Sequence, residues 1–228
     1  MKTTATHVFF WSGPLSNWHL GVRFAGARAY AETVRRVDAL GIARPSDDAL
    51  SSRLLRLASF SCGEQWMMAT KCWLIDRNPI LDSTGLDDVQ AAEALALILS
   101  FDQPEPGARG SKIWSTPLGK TLRTNDPKAQ KAFGREISPY DDVLWSAARV
   151  ACVVGGNIAR FEADRKARSV LVATQKRVIV EGSPVDDIWG VGLKWDDPRI
   201  VDPANWRGQN LLGVALAEVR EQITGASA

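Results

Sequence analysis

Histidine and cysteine are scarce in this chain, and their scarcity removes several kinds of chemistry. The two histidines, His7 and His19, stand twelve residues apart with no neighbouring ligand pair. Neither a histidine-based metal site nor a Ser-His-Asp triad is therefore expected. The cysteines Cys62, Cys72 and Cys152 are odd in number and form no C-x-x-C pair, which argues against a disulfide framework or a zinc ribbon. No window holds 18 uninterrupted apolar residues, and the N-terminal run Val8-Phe-Phe-Trp11 is too short for the core of a signal peptide. The expectation is a protein of the cytoplasm without membrane contact.

What is present fits an ordinary globular chain. Its 228 residues, 45% of them apolar and 24% charged, suffice to bury one full core. The net charge of +2 is unevenly spread. Residues 78–108 contain no Lys or Arg but six acids, whereas 109–135 set Arg109, Lys112, Lys120, Arg123, Lys128, Lys131 and Arg135 against Asp126 alone. Such a basic stretch attracts phosphate, on a small ligand or along a nucleic acid. Its bland alternative is a solvated surface paired with the acidic segment.

Periodicity predicts a short strand at 8–11, ended by turn residues at 12–14, and helices at 27–40 and 51–57. Ser61-Cys-Gly-Glu64 reads as a capping box opening a helix over 65–74. A further helix begins near Leu86 with Ser83 or Thr84 as cap. Residues 101–140 hold five of the eleven prolines, and read as loop with one short helix near Lys128. Helices at 141–154 and 157–174 are separated by Gly155-Gly156. A strand follows at 177–181, and Asn210 caps a closing helix that carries Leu212, Ala215, Leu216, Val219 and Ile223 on one face. Helices outnumber strands without alternating with them, which predicts a mostly helical α+β domain.

The segment Glu181-Gly-Ser-Pro-Val-Asp186-Asp-Ile-Trp189-Gly190-Val-Gly192, with Gly208-Gln-Asn210-Leu-Leu-Gly213 after it, gathers carboxylates, an aromatic and glycines. Glycine lets backbone approach a ligand, tryptophan offers a stacking face, and a carboxylate accepts a ribose hydroxyl or serves as acid or base. A tight turn with Trp189 plugging a core and Asp186 capping a helix would explain the same residues.

Taken in order, the motifs resemble the NADAR family, also called YbiA-like. They are Phe10-Trp-Ser12 with Leu15-Ser-Asn17-Trp18, Glu64-Gln-Trp66-Met-Met-Ala-Thr-Lys71, Pro104-Glu-Pro-Gly-Ala108-Arg109-Gly-Ser-Lys112, Trp145-Ser-Ala-Ala-Arg149, Arg160-Phe161, Val180-Glu181 with Asp186-Asp-Ile-Trp189-Gly190, and Asn210-Leu-Leu-Gly213 with Val219-Arg220. The resemblance spans nearly the whole chain and implies one YbiA-like domain over 1–228. Insertions at about 21–57 and 113–139 are longer than the family's usual spacing. Gln65-Trp66 stands where relatives often have His-Tyr, a departure that bears on substrate more than on reaction class.

The resemblance also implies an activity: hydrolysis of an N-glycosidic bond between a base-like nitrogen and C1 of ribose, with no metal or redox cofactor. The implied partners are ADP-ribose or ribose-phosphate adducts of a base, among them riboflavin intermediates and ADP-ribosyl guanine in DNA or RNA. A module that binds ADP-ribose or a nucleotide without turnover is the alternative. Glu64, Lys71 and Asp186 are the implied catalytic set, and their joint presence favours the enzyme. Glu64 and Lys71 lie seven apart on one predicted helix face, although Glu64 could be only the N3 residue of a capping box. Lys71 could hold a phosphate, form an imine with the opened sugar, or be a plain surface lysine. Asn17, Trp18, Trp66, Arg109, Trp145, Trp189, Gly190 and Asn210 are the implied substrate-binding residues. Met67 and Met68 read as core filling.

Overall fold

The structure, a computed structural model, describes residues 1–100, 104–105 and 109–225, with the side chains of 109 and 110 excepted. In chain order the elements are β1 (Lys2–Thr3), β2 (His7–Phe10), β3 (Phe24–Ala25), α1 (Gly26–Ala39), α2 (Leu50–Leu57), β4 (Ser59–Phe60) and α3 (Gly63–Ile75). Then come α4 (Asp88–Leu99), α5 (Arg109–Trp114), α6 (Pro117–Arg123), α7 (Pro127–Phe133), α8 (Asp142–Ala163), α9 (Arg165–Ala173), β5 (Val178–Glu181) and α10 (Leu211–Thr224). The result is a mostly helical α+β domain with a few short strands, as the pattern predicted.

The organising element is α8, whose sides pack on α1, α3 and α10. It runs 22 residues without a break, so Gly155-Gly156 does not separate two helices as expected. These glycines serve close approach: a Cβ on Gly155 would lie 2.2 Å from Thr33 Oγ1 of α1, and one on Gly156 2.1 Å from Trp66 Cδ1 of α3. The break falls at Asp164, whose side chain accepts the Ala167 N–H at 2.9 Å and caps α9.

Prolines explain a second difference. The span 101–140, expected to be loop with one short helix near Lys128, contains that helix as α7 and also α5 and α6. Pro117 and Pro127 occupy the first helical position behind the caps Thr116 and Asp126, where a missing N–H costs nothing. The cap of α4 is Asp87, in a reciprocal capping box with Gln90, and not Ser83 or Thr84. The capping box expected at 61–64 is absent as well. Cys62 takes the N-cap position with no side-chain bond, and Ser61 bonds Gln65 instead.

β2 lies between β1, antiparallel to it, and β5, parallel to it with Phe10 opposite Glu181. This register brings the end of β5 beside the N-terminal end of α3. Buried aromatics fill the space between sheet and helices. Trp66 meets Phe60 edge-on at 4.8 Å and donates from its indole N–H to Cys152 O at 2.9 Å. No helix among the described residues is long and apolar enough to cross a membrane.

Candidate active site

One face of α3 floors a cleft of about 280 Å³. Glu64, Met67, Met68 and Lys71 line it in the i, i+3, i+4, i+7 spacing that puts side chains on one helical face. The wall opposite is the end of β5 and the loop after it, with Glu181, Asp186 and Trp189. α7 with the turn after it and the N-terminal half of α8 form the rim, contributing Lys131, Arg135, Trp145 and Arg149.

Glu64 is 3% exposed. Its backbone N–H donates to Asn17 O at 2.8 Å, while its Oε1 is buried without a hydrogen-bond partner among the described residues. Burial raises its carboxyl to about 7; Lys131 and the Trp18 hydrogen bond oppose that rise, and Asp186 adds to it. Glu181 is in the same condition. Its Oε2 is buried without a partner among the described residues, and burial, then the Asp186 and Glu64 charges, push it up to about 8. The Glu64 charge is one cause of the rise at Glu181, so the two carboxyls titrate as a pair.

Asp186 has a double role. Oδ1 accepts the N–H groups of Ile188 at 3.1 Å and Trp189 at 2.8 Å, fixing the turn, and Oδ2 stands 3.5 Å from Lys131 Nζ. Lys71 Nζ donates to Gly134 O at 2.9 Å and lies 4.5 Å from the centre of the Tyr140 ring. Burial is the main cause lowering its pKa, which increases the share of neutral, nucleophilic amine.

The cleft thus brings together Glu64, Lys71, Asp186, Asn17, Trp18, Trp145 and Trp189. Three expected ligand contacts lie elsewhere. Trp66 is a core residue, 1% exposed, because its ring is turned between Phe60 and α8. Gly190 sits behind the wall, where a Cβ would crowd Ser183, Asp186 O and Glu181 O at 2.9–3.0 Å. Asn210 is neither ligand contact nor side-chain cap. With φ of 56° it starts α10, yet its amide accepts Glu181 N–H at 3.0 Å and donates to Ile179 O at 2.8 Å, bracing β5. The Arg109 side chain falls outside the described residues. Met67 and Met68 are buried as expected, and both also line the floor.

Sequence reasoning left Glu181, Lys131, Arg135, Tyr140, Asp142 and Arg149 out of the site. Glu181 was visible in the glycine-rich motif, and Lys131 and Arg135 in the basic span, where Lys131 ends up on α7 and Arg135 in the turn after it. Tyr140 and Asp142 carry no local signal, since only the fold brings them to α3.

Fold and site together define a mostly helical α+β protein whose cleft sets buried carboxyls beneath a cationic rim. The family model described as NADAR domain matches residues 9–224, and the chain belongs to that family. It is 28% identical over 170 residues to Protein irg-1 of Caenorhabditis elegans, covering 74% of this chain and 63% of that protein. It is 33% identical over 92 residues to N-glycosidase R617 of Acanthamoeba polyphaga mimivirus, covering 40% and 54% of the two chains. N-glycosidase YbiA of Escherichia coli strain K12 is 28% identical over 101 residues, 44% of this chain and 56% of the relative. Each match thus spans less than two thirds of the relative's length. The NMR structure of the E. coli protein YbiA aligns with a TM-score of 0.52 over 98% of this chain and 88% of that one, at 17% identity, and supports the fold.

Proposed function

We propose that this chain is an N-glycosidase of the cytoplasm that hydrolyses the bond between a base-like nitrogen and C1 of ribose, in an ADP-ribosylated or ribose-phosphate substrate. The observation that carries the reading is the buried Glu64 carboxyl, whose Oε1 has no hydrogen-bond partner among the described residues, facing Glu181 and Asp186 across a cleft that also holds Lys71. The names of the N-glycosidase relatives support it.

Bond cleavage builds positive charge on the ribose, and a carboxylate close to C1 stabilises it. The leaving nitrogen needs a proton, which a carboxyl raised to about 7 supplies at neutral pH. The reaction balances with water alone: the C1–N bond breaks, a C1–O bond forms, and the base leaves protonated. No metal or redox cofactor is required. Lys71 fits either of two steps, attack on C1 of the opened sugar to form an imine that water later releases, or charge support for direct attack by water. Trp18, Trp145 and Trp189 supply stacking faces, and Lys131, Arg135 and Arg149 suit the phosphates.

The test is incubation with ADP-ribosylated guanine DNA and, separately, with a ribosylamino pyrimidine phosphate, following base release by chromatography. Release from one of them is expected, with loss of at least about 100-fold in Glu64→Gln and Asp186→Asn. Borohydride added during turnover should fix a ribose fragment on Lys71, and Lys71→Arg should abolish trapping. Binding without release from either substrate would leave a nucleotide-binding module, and wild-type turnover by Glu64→Gln would remove the catalytic assignment.

A further inference from the structure

Behind the cleft, three buried polar residues form a line that ends on Asn17. Arg160 of α8 donates to Asn157 Oδ1 at 2.9 Å and to the Pro14 carbonyl. One turn earlier on α8, Asn157 donates from Nδ2 to Val153 O at 3.0 Å and to Asn17 Oδ1 at 3.1 Å. Asn17 Oδ1 also faces α3, since a Cβ on Gly63 would come within 2.4 Å of it. Asn17 is 5% exposed, Asn157 1% and Arg160 3%. A buried guanidinium that makes no ion pair among the described residues is costly. Its two donated bonds hold the loop whose Asn17 carbonyl receives the Glu64 N–H.

The direction of this line is forced by chemistry. A guanidinium only donates, so Asn157 must turn its oxygen toward Arg160 and its NH2 toward Asn17. Asn17 must then offer its own oxygen backwards. Its amide nitrogen, left without a protein partner among the described residues, is the polar group it presents to the cleft.

We infer that Arg160 and Asn157 are positioning residues that fix Asn17 as a hydrogen-bond donor beside Glu64, so that the ligand must place an acceptor oxygen, of a sugar hydroxyl, phosphate or carbonyl, at that point. The inference rests on the reading of the cleft as a ribosylated-base site, and it adds a polarity that the carboxyls and the rim cations do not specify. A ligand that offers an N–H donor there meets another donor and is rejected.

Asn157→Asp tests it with little change of shape. The new carboxylate accepts from Arg160 and cannot donate to Asn17, whose amide then flips and turns its oxygen to the cleft. Three readouts are expected. The thermal midpoint changes little, because the counter-charge gained by Arg160 offsets the donation to Val153 O that the variant loses. The Asn17 side-chain NH2 signals, identified by their loss in Asn17→Ser, become protected from hydrogen exchange without any ligand present. ADP-ribose affinity falls roughly 10- to 100-fold, and KM rises while kcat changes little. Asn17→Asp keeps the bond from Asn157, removes the donor, and is expected to weaken ADP-ribose by a comparable factor. Unchanged Asn17 exchange in Asn157→Asp would overturn the relay whatever the protein catalyses. Unchanged ADP-ribose affinity in both variants, with wild-type binding intact, would show that Asn17 only anchors its loop. Failure of the wild type to bind ADP-ribose or release a base would instead remove the functional reading, and the ligand assignment with it.

Discussion

At the scale of single residues, the Glu64 carboxyl links activity to stability. An acid raised from an ordinary 4.5 to about 7 in the folded state binds its proton more tightly folded than unfolded. Its contribution is therefore complete below pH 4.5 and is lost as pH rises through about 7. Glu64→Gln keeps the shape and removes the charge, so the variant should match wild type near pH 4 and exceed it near pH 8. The gain is of order 1–3 kcal/mol, the upper end being shared with Glu181 through their coupling. Urea denaturation of both proteins at the two pH values measures it. An activity-dead variant that is more stable at alkaline pH is the mark of a carboxyl placed for chemistry. If Glu64 served only to close the start of α3, Gln would do the same work and the substitution would be almost silent at both pH values, and that result would count against the assignment.

At the scale of elements, α8 shows where local rules yield to packing. In an exposed helix Gly→Ala gains about 1 kcal/mol, and the pair Gly155-Gly156 read as a break for that reason. Here the Cβ of Gly155→Ala would meet the Thr33 backbone N at 2.8 Å and Cα at 2.9 Å, atoms that cannot turn aside. Overpacking of this kind costs about 1–3 kcal/mol, so the net effect of Gly155→Ala should be destabilising. A urea midpoint lowered with unchanged slope is expected, and a midpoint at or above wild type would mean that α1 and α8 can separate without cost. The elements that were legible declared themselves by periodicity alone: β2, α1, α3, β5 and the apolar face of α10. Those misread depended on partners distant in sequence, as Gly155-Gly156 do on Thr33 and Trp66, or on a cap that a proline obscures. Pro117 looks like a breaker until Thr116 is seen capping the helix it starts. The site divides in the same way. Glu64 and Lys71 follow from helical spacing, and Asp186 with Trp189 from a compact motif. Whether a tryptophan faces ligand or core is decided by neighbours such as Phe60 and Gly156, and so Trp66 could not be told from Trp145.

At the scale of the whole molecule, a net charge of only +2 conceals how the cations are used. Within the basic span, Lys120 is paired with Glu136 at 2.7 Å, and Arg123 lies over the Trp114 ring while donating to its carbonyl. These are structural. Lys131, Arg135 and Arg149 instead stand on the rim of the cleft, and the Arg149 Nε is buried without a partner among the described residues. In the proposed function, cations gathered at one mouth above buried carboxyls draw the phosphate-bearing ligand in by its anionic end and leave the sugar to the floor. Reversing Arg135 and Arg149 to Glu should therefore weaken a polyanionic substrate more than a small nucleotide. It should also flatten the dependence of log K on log salt by roughly one to two units for ADP-ribosylated DNA, about one for each phosphate no longer neutralised. Lys120→Gln, which breaks the pair with Glu136, should leave that slope unchanged. Titrations of wild type and both variants against the DNA and against ADP-ribose, each at three salt concentrations, separate the outcomes. Equal slopes for wild type and the double reversal would make the rim a solvated surface, while a slope altered by Lys120→Gln would extend the anion path beyond the cleft along α6.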